Sequence, residues 1–317
     1  MDVAHTDGGD GDTQRLPSWL LAFGPFLIIG VLVVIGLWAW STFEFDWLAV
    51  EGTSNVLVVL TAIGFIAGIL PVLLGMLWFP YVRRLDVVWI HAVLAFSAGI
   101  LTFIAVEMSA EAIGHAGASS TPMLAGGVGI VGGGATIVAM ELFSRWRVRR
   151  SSQITAVGAR SLTVAYLVAI GLGLHSVGEG LAIGVAFVEG EVGLVVLLAI
   201  GFIIHNVTEG PAVIAAIARE QSRPPWRHFV ALGVLAGGGV IVGGWIGSFT
   251  TSNIVATAFF AIAAGAIVQV TWEMFDLVRD DAGTVFDRRI IIAFVVGIFV
   301  LFFLEEIVVG GWIEGLA

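Results

Sequence analysis

The chain has 317 residues, 58% of them hydrophobic and 12% charged, with a formal net charge of −10 and a pI of about 4.9. A mean hydropathy of +1.03 excludes a soluble globular domain, and recurring apolar runs of about 20 residues match the length of helix that crosses a bilayer core of about 30 Å. There is no cysteine and all 14 basic residues are arginine, which removes iron–sulfur clusters, disulfides, a P-loop lysine for nucleotide hydrolysis and a lysine for a retinal Schiff base. An acidic chain of this kind has the lipid bilayer, not nucleic acid, as its expected partner.

Residues 1–16 carry four aspartates and one arginine, so they lack the basic start of a secretory signal and read as a disordered acidic tail. The apolar run at 17–42 follows and predicts a first transmembrane helix near 18–41. Further spans are predicted near 55–80, 87–113, 122–144, 161–188, 192–218, 228–249, 252–279 and 289–312, an all-α polytopic bundle in which 50–317 form the main domain. Arg15, Arg83, Arg84, the 145–160 segment, Arg219 to Arg227 and Arg279 to Arg289 occupy alternate connections, while the others hold Glu44, Asp46, Glu51, Glu189, Glu191 and Glu314. The positive-inside rule then puts the amino terminus in the cytoplasm and the carboxyl terminus outside, in a multi-pass protein of the cell membrane.

Forty-two glycines, with small-x-x-x-small pairs at Gly64/Gly68, Gly180/Gly184 and Gly243/Gly247, predict closely packed helices. Ala95-Phe-Ser-Ala-Gly-Ile with Glu107-Met108 matches Ala261-Ile-Ala-Ala-Gly-Ala with Glu273-Met274 at a constant offset of 166 residues. The two helices are five places apart in the order of spans, with four spans between them, so they cross in opposite directions, as in the inverted repeats of secondary transporters.

The chemistry lies in His175-x-x-x-Glu179 and His205-x-x-x-Glu209. A spacing of four puts each pair on one helical face, one turn apart. A turn centred on residue 192 sets Glu179 level with His205 and His175 level with Glu209. All four fall near the middle of their spans, where an ionisable side chain costs on the order of 2.5–3.5 kcal/mol to insert. Two imidazoles and two carboxylates supply a nitrogen/oxygen shell for a divalent cation that offsets this cost. Taken singly, each pair also reads as an ordinary buried hydrogen bond; two copies at matched depth, each followed by a glycine (Gly180, Gly210) expected to open space beside the site, favour ligands.

Around this core, Asn206 can present an amide oxygen or bond a neighbouring helix, and Ser176 in the equivalent place is a poorer ligand. Glu107 lies near the outer end of its span and Glu273 near the inner end of its own; they either mark entrance and exit or reach water and headgroups. Glu107, Glu111 and His115 share a face, and Glu305 and Glu306 approach the same outer level, an acidic funnel that would concentrate cations; for Glu111, His115 and Glu306 the favoured reading is instead a charge near a span end that reaches headgroups and water. Asp276, one turn beyond Glu273, extends the inner path.

At HSVGEG (175–180) and HNVTEG (205–210) the sequence resembles the ZIP (Zrt/Irt-like) family of divalent metal transporters, in its prokaryotic type. The likeness runs over roughly 50–317 and includes LAFSAGI with Glu107 and AIAAGAI with Glu273. It implies an eight-helix core with an inverted repeat, one extra amino-terminal helix, and a metal site on the two motif-bearing helices at His175, Glu179, His205 and Glu209. It also implies homodimers and movement of metal toward the cytoplasm without ATP. Ser176 replaces the family's asparagine and glycines at 237–239 stand where a glutamate is common, so one principal ion is expected, not two.

The expected function is therefore transport of a divalent transition-metal ion, zinc foremost, with iron, manganese or cadmium as relatives, and the protein is not expected to be an enzyme. The competing reading is an intramembrane metalloenzyme built on the same ligands, but its usual signatures, HExxH and Glu-x-x-His, are missing.

Overall fold

The structure is a computed structural model that describes Gly24, Leu27 and residues 53–82, 87–152, 159–219, 224–282 and 287–307. The predicted acidic tail and nearly all of the first span lie outside the described residues, as do the last residues of the ninth. Among the described residues there is no strand. The helices are α1 (Thr53–Gly64), which continues through a π-helical turn (Phe65–Ile69) into α2 (Leu70–Val82), then α3 (Val87–Ala118), α4 (Pro122–Ser152), α5 (Ala159–Glu189), α6 (Val192–Arg219), α7 (Trp226–Gly237), α8 (Gly239–Gly247), α9 (Asn253–Ala282) and α10 (Arg288–Ile307).

Seven of the resulting helical rods are long and apolar enough to cross a membrane, among them Thr53–Trp78, where α1 and α2 act as one span, and Trp226–Gly247, where α7 and α8 do. The chain is a polytopic helical membrane protein. Its outward faces carry apolar side chains such as Leu77, Ile113, Met123 and Ile130, suited to lipid. The ends are marked by local chemistry. Pro122 opens α4, where a missing N–H costs nothing, and Pro225 precedes α7. Gly190 takes a positive φ of 78° between α5 and α6, a conformation that a Cβ would strain.

The main core joins Leu60, Ile100, Leu101, Ile104, Met108, Ile183, Leu198, Phe202, Phe260 and Ile267 from α1, α3, α5, α6 and α9. The closest approaches are made by backbone. A Cβ on Gly180 would stand 2.2 Å from the Val240 carbonyl oxygen, one on Gly243 2.1 Å from that of Val177, and one on Gly68 2.2 Å from that of Gly237. The glycine pairs thus do what the spacing predicts: α5 lies directly on α8, and the π turn on the end of α7.

Gly180 and Gly210 do not open space beside the site. A Cβ at Gly210 would fall 2.4 Å from Met76 N and 2.5 Å from Val72 O, so both glycines are points where the motif helices touch α8 and α2. α6 runs through Pro211, which cannot bond the carbonyl of Val207 four residues back. That carbonyl instead lies against Gly75 of α2, where a Cβ would come within 2.0 Å of it.

The helices of the predicted repeat, α3 and α9, pack extensively on each other. His115 at the end of α3 contacts Asn253 at the start of α9 (Nδ1 to Oδ1, 3.3 Å), and Asn253 Nδ2 donates to Ala118 O at 3.0 Å. The two helices are therefore antiparallel, the relation an inverted repeat requires.

Candidate metal centre

α5 and α6 leave the Gly190 turn as antiparallel neighbours and bring their motifs together at mid-length. His175 and His205 have ring centroids 5.5 Å apart. His175 Nε2 stands 3.2 Å from Glu179 Oε1 and 3.3 Å from Glu209 Oε1, and His205 Nε2 stands 3.0 Å from the same Glu209 oxygen. The expected level pairing of His175 with Glu209 is present. Ligand atoms of His175, Glu179 and His205 all lie within 4.8 Å of one another.

These separations have a chemical meaning. Nitrogen and oxygen ligands at about 2.0–2.2 Å from one tetrahedral ion sit about 3.3 Å from each other. The N···O distances of 3.0–3.3 Å match the edges of such a shell and are also ion-pair lengths, the 3.0 Å contact of His205 Nε2 with Glu209 Oε1 being a hydrogen bond. All four side chains are buried, yet both nitrogens of His175, Glu179 Oε1 and Glu209 Oε2 make no hydrogen bond. Buried polar atoms in folded proteins nearly always have a partner. A cation is a partner that serves them together.

Asn206 is tied to the surrounding bundle. Its Nδ2 donates to the Ala67 carbonyl in the π turn at 2.8 Å and to Glu179 Oε2 at 3.3 Å. The amide oxygen is then the free end, and it is buried without a hydrogen bond. π turns recur at functional sites because they re-aim backbone groups. Ser176 Oγ donates to the Ala236 carbonyl at 3.1 Å, so this hydroxyl joins α5 to α7.

Two further residues reach the centre, Ser97 from the LAFSAGI string and Thr208 from within HNVTEG. Ser97 of α3 places its hydroxyl 2.8 Å from His205 Nδ1 and 2.9 Å from Thr208 Oγ1. A serine inside a continuous apolar run has no periodic signature, and its partner lies 108 residues away. The sole advance signal was its place in the LAFSAGI string.

Two of the other expected pathway residues, Glu273 and Asp276, are paired with arginines. Glu273 pairs with Arg147 of α4 and accepts from Ser144 Oγ at 3.1 Å. Asp276 pairs with Arg279 at 2.9 Å on the same helix. Glu107 is half-buried on α3. Glu305 belongs to α10, but its side chain, like that of Glu306, lies outside the described residues. At the far end of α3, His115 Nε2 lies 3.1 Å from Glu189 Oε2 and 3.8 Å from Glu111 Oε2.

A bundle of membrane-length helices around a buried cluster of imidazoles and carboxylates belongs to the class of helical membrane transporters for cations. Residues 147–305, half of the chain, match the family model described as ZIP zinc transporter, and the chain belongs to that family. The match takes in both motifs and α5 through most of α10. No curated protein matches the chain. Membership makes this a divalent metal-ion transporter of the membrane and not an enzyme.

Proposed function

We propose that the protein carries zinc, or a neighbouring first-row divalent ion, toward the cytoplasm through a single site formed by His175, Glu179, His205 and Glu209. The observation that carries this reading is the set of N···O separations of 3.0–3.3 Å among four fully buried ligand side chains, the spacing of one small coordination shell. The arginine distribution supports an amino terminus in the cytoplasm and a carboxyl terminus outside. Residues 50–317 form the transporting unit, preceded by the acidic tail and one additional helix, and the unit assembles as a homodimer in the bilayer.

One ion fits better than two. The Ser176 hydroxyl is spent on the Ala236 carbonyl, and the segment at 237–239 is glycine in close backbone contact, with no side chain to offer a second ion. Asn206 keeps an amide oxygen beside the site as a weaker ligand. Glu107 and Glu305 are assigned to the outer approach, Ser176 to the site's lining, and Glu273 and Asp276 to the inner exit, where Arg147 and Arg279 hold the two carboxylates between passages of the ion.

Uptake of zinc, iron, manganese and cadmium into proteoliposomes tests the reading. The expected result is zinc flux that is lost in His175→Ala and in Glu209→Ala. Equal flux in all three proteins overturns the assignment of the site.

A further inference from the structure

Hydrogen-bond accounting around His205 determines where its proton sits. The Thr208 hydroxyl donates to the His205 carbonyl at 2.6 Å, which uses its one hydrogen. Ser97 Oγ lies 2.9 Å from that same Thr208 oxygen, so in this pair Thr208 accepts and Ser97 donates. The serine hydrogen is then spent as well. At the 2.8 Å contact with His205 Nδ1, Ser97 Oγ is left as the acceptor and the imidazole must donate Nδ1–H. A neutral imidazole carries one N–H, so Nε2 holds the lone pair; when no ion is bound, the 3.0 Å hydrogen bond between Nε2 and Glu209 Oε1 then takes its hydrogen from the Glu209 carboxyl, the place that a bound cation would fill.

We propose that Ser97 and Thr208 are positioning residues that hold His205 as its Nδ1–H tautomer and so present Nε2, ready for coordination, to the transported ion. The proposal rests on the assignment of His205 as a ligand. Metal-bound histidines commonly donate their second ring N–H to an outer acceptor that fixes tautomer and ring orientation. Here the acceptor is a hydroxyl on α3, oriented by a second hydroxyl that is in turn oriented by the backbone of α6. Ser97 and His205 are fully buried and Thr208 nearly so; no solvent competes with the relay.

The relay makes a distinctive prediction. Ser97→Ala removes the acceptor. Thr208→Val keeps the shape of the side chain but frees the serine hydrogen to donate to Nδ1, which favours the Nε2–H tautomer and blocks the ligand atom. Each change is expected to weaken zinc binding about 10–100-fold in a competition titration with a chromophoric chelator. The double variant is expected to be no weaker than the worse single one, because the two groups act as a unit. Thr208→Ser, which keeps the hydroxyl, is expected to bind as the wild type does.

Solid-state nitrogen NMR of histidine-labelled, zinc-free protein reads the tautomer directly: an Nδ1–H signal assigned by its loss in His205→Ala, and its displacement in Thr208→Val. Wild-type affinity in His205→Ala overturns the ligand assignment itself. Impaired binding in His205→Ala, with unchanged affinity and NMR signal in Ser97→Ala and Thr208→Val, overturns the relay alone. Should Ser97→Ala fail to fold, the comparison of Thr208→Val with Thr208→Ser decides: loss in the valine variant supports the relay, and equal affinity overturns it.

Discussion

Glu209 Oε1 is within 3.3 Å of both imidazole Nε2 atoms, so the carboxylate bridges the two histidines as no other group among the described residues does. Glu209→Gln keeps the size of the side chain and removes the charge that a buried cation needs. Zinc affinity is expected to fall about 100-fold or more, measured by competition titration, because an uncompensated charge in a buried cluster is strongly unfavourable. A change of less than about threefold contradicts the role given to this oxygen. The ligands must also be free of protons to hold the ion, and acidification therefore weakens zinc binding. Titrations at a series of pH values check the sign; affinity that rises as pH is lowered contradicts a shell of imidazoles and carboxylates.

The motif residues were legible from sequence because helical periodicity alone puts residues four apart on one face. Their partners were not. Ser97 and the Ala67 carbonyl reach the site across helix boundaries, and nothing within one helix's own sequence records which foreign residue lies opposite.

Helix boundaries follow the same division. The apolar runs at 87–113 and 122–144 correspond to α3 and α4, but both helices extend further, to Ala118 and Ser152, since helix can continue into polar sequence beyond the membrane. The interruption at Gly238 and the π turn at Phe65–Ile69 were not foreseen, for the segments are uniformly apolar and their irregularity comes from the backbone contacts of Gly237 with Gly68 and of Gly239 with Gly173. Glycine content gave the tightness of packing without saying which helices meet.

Those contacts can be tested by substitution. Gly180→Ala brings a methyl to 2.2 Å from the Val240 oxygen, and a loss of about 1–3 kcal/mol of stability is expected, read as a lowered thermal midpoint in detergent. Gly134→Ala on α4 meets nothing within 4 Å and is expected to be neutral or slightly stabilising. Equal midpoints for the two variants contradict the α5–α8 contact. The Arg147–Glu273 pair ties α4 to α9, and a double-mutant cycle with Arg147→Met and Glu273→Gln is expected to show a coupling of about 1 kcal/mol, against zero if the pair is solvated and idle.

On the scale of the whole molecule, the repeat and the arginine pattern describe one architecture. α3 and α9 run antiparallel against each other, and the connections that flank the bundle differ in charge. The sequence carried this because charge asymmetry and repeat offset are properties of the entire chain, insensitive to side-chain detail. Orientation is open to direct measurement in a protein with no cysteine of its own. Ser120→Cys, in the α3–α4 turn, is expected to react with a membrane-impermeant maleimide on intact cells, and Asp287→Cys, just before α10, only after permeabilisation; the opposite pattern contradicts the cytoplasmic amino terminus.

In the proposed function the buried cluster on α5 and α6 holds the transported ion, and that assignment is open to direct test. Zinc K-edge X-ray absorption of the loaded protein tests it most directly. A first shell of mixed nitrogen and oxygen at about 2.0–2.2 Å is expected, with outer imidazole scattering that diminishes in His175→Ala and in His205→Ala. An imidazole signal unchanged in both variants, or a shell of oxygen alone in the wild type, contradicts it.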